Sequence, residues 1–172
     1  MTLTLRHAVA DDLTAVGALH QRSRVAAYSP FLPPEALAVP TPEAMGEYWT
    51  QRWPYERDDH LMTVAERAGR LVGFSYVGPD ELDGVVDPTA AMLRAIHLEP
   101  TEQGRGTGRA LMLDALHTMR SWGHTRATLW VLRDNAHARR FYERGGWTPD
   151  GLERDDHIGL ALVPQLRYAR AL

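Results

Sequence analysis

Apolar positions alternate at the N-terminus, where Leu3, Leu5, His7 and Val9 fall on one side of the chain and Thr4, Arg6 and Ala8 on the other. That period of two predicts a half-buried strand. The period then changes. Leu13, Val16, Leu19 and Val25 recur at helical spacing behind Asp11 or Asp12, either of which is placed to cap a helix. In "YSPFLPPEALAVPTPEAM" the prolines fix backbone angles and remove donors, which predicts a long ordered loop, then a short helix over about Pro42 to Arg52. Two strands, about His60 to Glu66 and Leu71 to Gly78, read as a hairpin turning at Ala68 and Gly69. "PDELDGVVDP" reads as a loop leading to a strand over Ala91 to Leu98. Beyond "EQGRGTGR", a stripe of Leu111, Met112, Ala115, Leu116, Met119 and Trp122 marks a helix ended by Gly123. Thr125 to Leu132 reads as a strand and Asn135 to Arg144 as a helix stopped by Gly145 and Gly146. The tail reads as one or two strands, near Trp147 and over Val163 to Arg170. The order predicts an α/β (α+β) architecture, a mixed sheet with helices on both faces.

At 172 residues and 44% hydrophobic content the chain is sized for one core, so residues 1–172 are expected to form a single domain. The net charge of −3 is spread along the chain, with no basic stripe for nucleic acid or anionic lipid. Cysteine is absent, which removes disulfides and thiolate nucleophiles, and no apolar run approaches the ~18 residues of a membrane span. A soluble, unprocessed, cytoplasmic protein is expected. Its eight histidines show no His-Glu-x-x-His or comparable spacing, so no metal site is expected.

The stretch Glu102 to Met112, "EQGRGTGRALM", places three glycines in five positions and turns at once into an apolar helix. One reading is a tight turn with close helix packing. The other is an anion cradle, in which free amides at a helix N-terminus and the helix dipole bind phosphate oxygens. A Walker loop is excluded because no Lys-Ser or Lys-Thr follows, and the dinucleotide pattern Gly-x-Gly-x-x-Gly fails at Arg109 and at Leu111. What fits is Gln103-x-x-Gly106-x-Gly108 behind "LRAIHLEP".

Here the sequence resembles the GCN5-related N-acetyltransferase (GNAT) superfamily, which builds its acetyl-CoA site on Arg/Gln-x-x-Gly-x-Gly/Ala at a strand-to-helix junction. "VLRDNAHARRFYERGGW" is similar to the family's later block, and the two blocks span about Met92 to Trp147. The resemblance implies a mixed, mostly antiparallel twisted sheet of six to seven strands with about four flanking helices and splayed central strands. It implies that the CoA diphosphate sits on the amides of Gln103, Gly104, Arg105, Gly106, Thr107 and Gly108, with Arg105 and Arg109 either on phosphates or merely solvated. Ile96, His97 and Leu98 bind the pantetheine arm through main chain on this reading, the Leu98 amide steadies the oxyanion of a tetrahedral intermediate, and the His97 side chain has a packing role. Asn135 and Tyr142, seven residues apart, project from one helical face about 10 Å apart along the axis. The family assigns the asparagine to pantetheine and the tyrosine to protonation of the leaving thiolate. Asn135 also suits a helix cap.

The implied activity is transfer of acetyl from acetyl-CoA to a primary amine, expected to be that of a small molecule. A protein or peptide N-alpha or lysine acetyltransferase is the runner-up, and a non-catalytic CoA sensor the alternative from another class. Places that carry a basic glutamate in many members hold Met92 and Trp130 here, which leaves Glu66, Asp87, Glu99 and His60 as candidates beside a water chain. The acceptor pocket is expected beneath Tyr28 to Tyr55, with aromatic walls from Tyr28, Phe31, Tyr48, Trp49, Trp53 and Tyr55 and with Glu47, Glu56, Asp58 and Asp59 attracting a cationic amine or solvated. The closing strand "LVPQLRYARAL" makes a homodimer plausible.

Overall fold

A computed structural model describes residues 2–172. Seven strands form one mixed sheet in the order β1-β2-β3-β4-β5-β7-β6. They are β1 (Leu3–His7), β2 (Leu61–Arg67), β3 (Arg70–Leu82), β4 (Val85–Leu98), β5 (Arg126–Leu132), β6 (Thr148–Ile158) and β7 (Ala161–Ala171). The helices are α1 (Leu13–Tyr28), the single turn α2 (Pro34–Leu37), α3 (Pro42–Glu56), α4 (Thr107–Ser121) and α5 (Ala136–Arg144). All neighbouring strands are antiparallel except β4 and β5, which run parallel across α4. The fold expected from the sequence is the fold observed.

The helical stripes face the sheet from two sides. Leu13, Val16 and Leu19 of α1 and Met45 and Trp49 of α3 bury against Met62, Val64, Phe74 and Tyr76. On the opposite face, Met112, Leu116 and Met119 of α4 and Tyr142 of α5 bury against Leu93, Leu129 and Tyr168. Val25 was expected in the α1 stripe, but its position turns outward and it is 38% exposed. Asp12 does cap, though not α1: its carboxylate accepts from the Val9 amide at 2.8 Å and pairs with Arg6.

One element departs from the sequence reading. "PDELDGVVDP" is not a loop but the tip of a β3–β4 hairpin, with Leu82 opposite Val85 across a two-residue turn. Asp83 and Gly84 both take positive φ, 53° and 78°, the type I′ geometry whose twist matches the strands. Pro79 and Pro88 are accommodated because the register shifts between Pro79 and Asp80. Ala68 and Gly69 make the same kind of turn between β2 and β3, as expected. The tail forms two full strands rather than short pieces, and the proline-rich loop contains α2.

Candidate functional site

The site begins where β4 leaves β5. Pairing between them covers only Ala90–Arg126 to Leu93–Leu129. The next residue, Arg94, is extra in the register with β3, which steps from Tyr76–Ala95 to Val77–Leu93. Such a bulge bends the strand, and here it opens a gap between Arg94–Leu98 and Trp130–Leu132. Strand amides alternate in direction. Since the Glu99 amide donates back to Val72 at 2.9 Å, those of Ile96 and Leu98 point away from β3 into the gap.

The glycine turn lies at the outer end of that gap. Gly104 and Gly106 adopt φ of +74° and +85°, and a Cβ on either would meet no protein atom within 4 Å. Their absent side chains therefore permit the left-handed backbone and leave open space, whereas Gly108 allows close packing, a Cβ there lying 3.2 Å from Leu98 Cδ1. The close-packing reading holds at Gly108, and Gly104 and Gly106 leave the open space that an anion cradle would need. Among the described residues, no protein group accepts from the amides of Gln103, Gly104, Gly106, Thr107, Gly108 or Arg109, while the Arg105 amide returns to Glu102 at 3.3 Å.

A clamp invisible in the motif holds this turn. Glu102 is 4% exposed and accepts from Thr107 Oγ1 at 2.9 Å, Arg105 Nη1 at 3.0 Å and Arg67 Nε at 3.2 Å. Burial pushes the Glu102 carboxyl up, but the Thr107 hydroxyl and the two arginines outweigh it and hold the group below its ordinary range. Thr107 is fully buried with its hydroxyl turned to Glu102, and Arg105 is half exposed with its guanidinium turned to the same carboxylate. Arg109 is exposed in the first turn of α4.

Ile96, His97, Gln103, Asn135 and Tyr142 line one cavity of about 640 Å³ that follows the gap. Leu98 and the Gly104–Arg109 turn lie outside its lining. Asn135 caps α5, its Oδ1 accepting from the Ala138 amide at 3.1 Å. Tyr142 is 9% exposed, its hydroxyl has no partner among the described residues, and burial together with Tyr28 pushes its ionisation well up. His97 packs: Nδ1 lies 3.1 Å from Ser23 Oγ, its ring stacks on Phe74, and its centroid is 4.1 Å from that of His20. Burial brings it down to about 4, so it is neutral.

The other end of the cavity is more polar than the sequence suggested. Tyr28, Tyr48 and Trp49 line it, but Phe31 and Trp53 pack into separate cores and Tyr55 is 85% exposed. Of the acids, Glu47, Asp58 and Asp59 lie outside its lining. Glu56 is held by Arg52 and by Tyr76 Oη at 2.5 Å. None of Glu66, Asp87, Glu99 and His60 lines the cavity either: Glu66 pairs with Arg6 and Glu99 with Arg22, Asp87 accepts from Thr89, and His60 stacks on Tyr76. Arg52, Arg94, Arg154, Glu81 and Asp156 face it instead. Sequence reasoning missed all five: Arg52 lies on α3 within the segment expected over the pocket, and β6 and the β3–β4 hairpin carry the other four in from remote segments.

The profile of the acetyltransferase (GNAT) family matches residues 26–147. Mycothiol acetyltransferase of Thermobispora bispora is 37% identical over 94 residues, which cover 53% of this chain and 32% of that protein. The chain thus spans less than half the length of the first such relatives. An uncharacterized N-acetyltransferase of Mycobacterium bovis is 29% identical over 143 residues, 83% of this chain and 85% of that one. Among solved structures, the PaiA N-acetyltransferase of Thermoplasma acidophilum in complex with coenzyme A superimposes with a TM-score of 0.81 at 19% identity over the whole of both chains. The ribosomal-protein-alanine N-acetyltransferase of Brucella melitensis gives 0.72 at 21% identity, over 98% of this chain and 99% of that one.

Proposed function

The chain belongs to the acetyltransferase (GNAT) family, and on that premise we propose that it transfers the acetyl group of acetyl-CoA to a primary amine of a small molecule. One observation carries the reading. The outward amides of Ile96 and Leu98 and the unpartnered amides at the start of α4 lie along one continuous path, beside open space left by Gly104 and Gly106. Unpaired backbone donors are costly unless water or a ligand takes them. Their arrangement suits a ligand with a diphosphate at one end and amides at the other.

Acetyl-CoA supplies the activated thioester. The chain's own groups do the rest. The amides from Gln103 to Gly108 hold the diphosphate at the positive end of α4. Arg109 is free to neutralise phosphate charge, and Arg105 can do so by turning from Glu102. Ile96 and Leu98 bind the pantetheine arm through main chain, while the main chain of His97 between them faces β3; Leu98 offers a donor to the thioester oxygen, and the Asn135 amide group adds a contact from the α5 cap. Tyr142 keeps its proton through burial and gives it to the departing sulfur. Holding both reactants in one cavity does much of the catalysis.

Calorimetry and turnover in two variants test this. Gly106→Val forces φ = +85° on a branched side chain and fills the open space; its acetyl-CoA affinity should fall at least tenfold. Tyr142→Phe should bind acetyl-CoA as the parent does and lose kcat by ten- to a hundredfold. Undiminished binding in the first variant removes the cradle, and undiminished turnover in the second removes the tyrosine from the mechanism.

A further inference from the structure

Counting Glu56, the acids around the acceptor end equal the arginines there in number but do not pair closely with two of them. Arg52 is spent, both its Nε and Nη2 being engaged by Glu56. Arg94, the bulged residue at the inner end of the gap, makes one hydrogen bond, from Nη2 to the Pro79 carbonyl at 2.9 Å, and has no carboxylate partner among the described residues. Arg154 reaches in from β6, lies 4.3 Å from the Trp130 ring centroid and donates to Gln165 Oε1 at 2.7 Å. Its one acid, Asp156, stands 3.6 Å away with 49% of its side chain exposed. Glu81 is the other carboxylate on the lining, with no hydrogen-bond or ion-pair partner among the described residues.

The remaining titratable groups add no charge to offset these. Burial keeps His20 and His97 neutral, and burial raises Tyr28, Tyr48, Tyr76 and Tyr142. Burial disfavours the charge on Arg154, Asp156 favours it, and Arg94 disfavours it by less than Asp156 favours it. A planar guanidinium with most of its donors free matches the oxygens of a carboxylate or phosphate.

We propose that the acceptor amine also carries an anionic group, a carboxylate or a phosphate, and that Arg94 and Arg154 bind it. The inference rests on the acetyltransferase reading and names the acceptor class. An acceptor whose only charge is cationic can use Glu81 and Asp156 but leaves Arg94 without an anionic partner. An amphoteric acceptor supplies that partner, and its amino end still has Glu81 and Asp156 available.

The test pairs each of the twenty common L-amino acids with its carboxamide, and 2-aminoethyl phosphate with ethanolamine. Acetyl-CoA turnover is followed by thiol release, and binding by calorimetry with and without saturating CoA. At least one acid should exceed its neutral partner tenfold or more in kcat/KM or in affinity, and the arm that responds separates carboxylate from phosphate. Arg94→Gln and Arg154→Gln should erase that preference by raising KM for the acid, with the neutral amine and acetyl-CoA affinity unchanged, and Arg94→Lys should restore part of it. Equal handling of acids and neutral partners, or a preference that survives both glutamine variants, overturns the proposal. Failure to bind acetyl-CoA would instead sink the acetyltransferase reading, and the binding comparison in the free protein would still judge the arginines.

Discussion

His97 shows how the same residue can be readable and unreadable at once. Its place in "AIHLEP" is legible from the motif that follows it, whereas its main chain, which the resemblance assigns to the pantetheine arm, faces β3. Its ring's partners, Ser23 and His20 of α1 and Phe74 of β3, come from distant segments and leave no local signal. The consequence is pH dependence. In the folded chain His97 titrates at about 4 and His20 well below its ordinary value, chiefly through burial, while in the unfolded chain each titrates near 6.5. Between those values the unfolded state binds more protons, so stability must fall as pH drops from about 6.5 to about 4 and must be fully present above that window. Urea midpoints should therefore be flat above pH 7 and decline toward pH 5, and His97→Gln, which keeps a polar partner for Ser23, should shrink that decline. A slope identical in the variant would show that His97 does not contribute to it. The Glu102 clamp has the same mixed legibility: Glu102, Arg105 and Thr107 are close in sequence, but Arg67 comes from another strand.

At the scale of elements, strand and helix positions were legible wherever the apolar period ran uninterrupted, as in α4 and β5. The β3–β4 tip reads as a loop, being rich in acids, although its Asp83-Gly84 pair is itself a strong hairpin signal. Helix against helix is harder still. The crossing of α1 and α3 rests on Gly17, where a Cβ would stand 2.2 Å from the Gly46 nitrogen and 2.4 Å from its Cα. The reverse is not symmetrical, since a Cβ on Gly46 would lie 3.4 Å from Thr14 Cα, an ordinary contact. Gly17→Ala must separate two helices or shift their backbone, a cost of about 1–3 kcal/mol by the measure of overpacked cores. Gly46→Ala should be near neutral, because the gain in helix propensity of up to about 1 kcal/mol offsets minor crowding. Denaturant unfolding of the two variants checks the asymmetry. Because Trp49 of α3 and His20 and Ser23 of α1 line the cavity, Gly17→Ala should also weaken acceptor binding more than acetyl-CoA binding.

The whole molecule is two antiparallel sheets joined by a short parallel seam, with β1 to β4 on one side and β5, β7 and β6 on the other. Only the four register pairs from Ala90–Arg126 to Leu93–Leu129 bridge them within the sheet. The splay was expected from family resemblance alone; its cause, the extra residue Arg94 in the β3 register, is a tertiary fact that no window of sequence carries. A ligand that occupies the gap ties the halves together, and this can be observed residue by residue. The His97 amide has the same direction as that of Glu99, which is bonded to Val72, so both should exchange slowly with or without ligand. The Ile96 and Leu98 amides point into the gap and should exchange quickly in the free protein, then slow markedly once acetyl-CoA is added. Ligand at about a hundred times its Kd adds roughly 2.7 kcal/mol. For a chain of this size that corresponds to a rise in Tm of about 5–10 °C. In Gly106→Val, with affinity at least tenfold lower, the rise should shrink to about half or less at the same concentration. If Ile96 and Leu98 were no more protected in the presence of acetyl-CoA while the Tm rose, the coenzyme would be bound outside the gap, and the seam would be a feature of the fold alone.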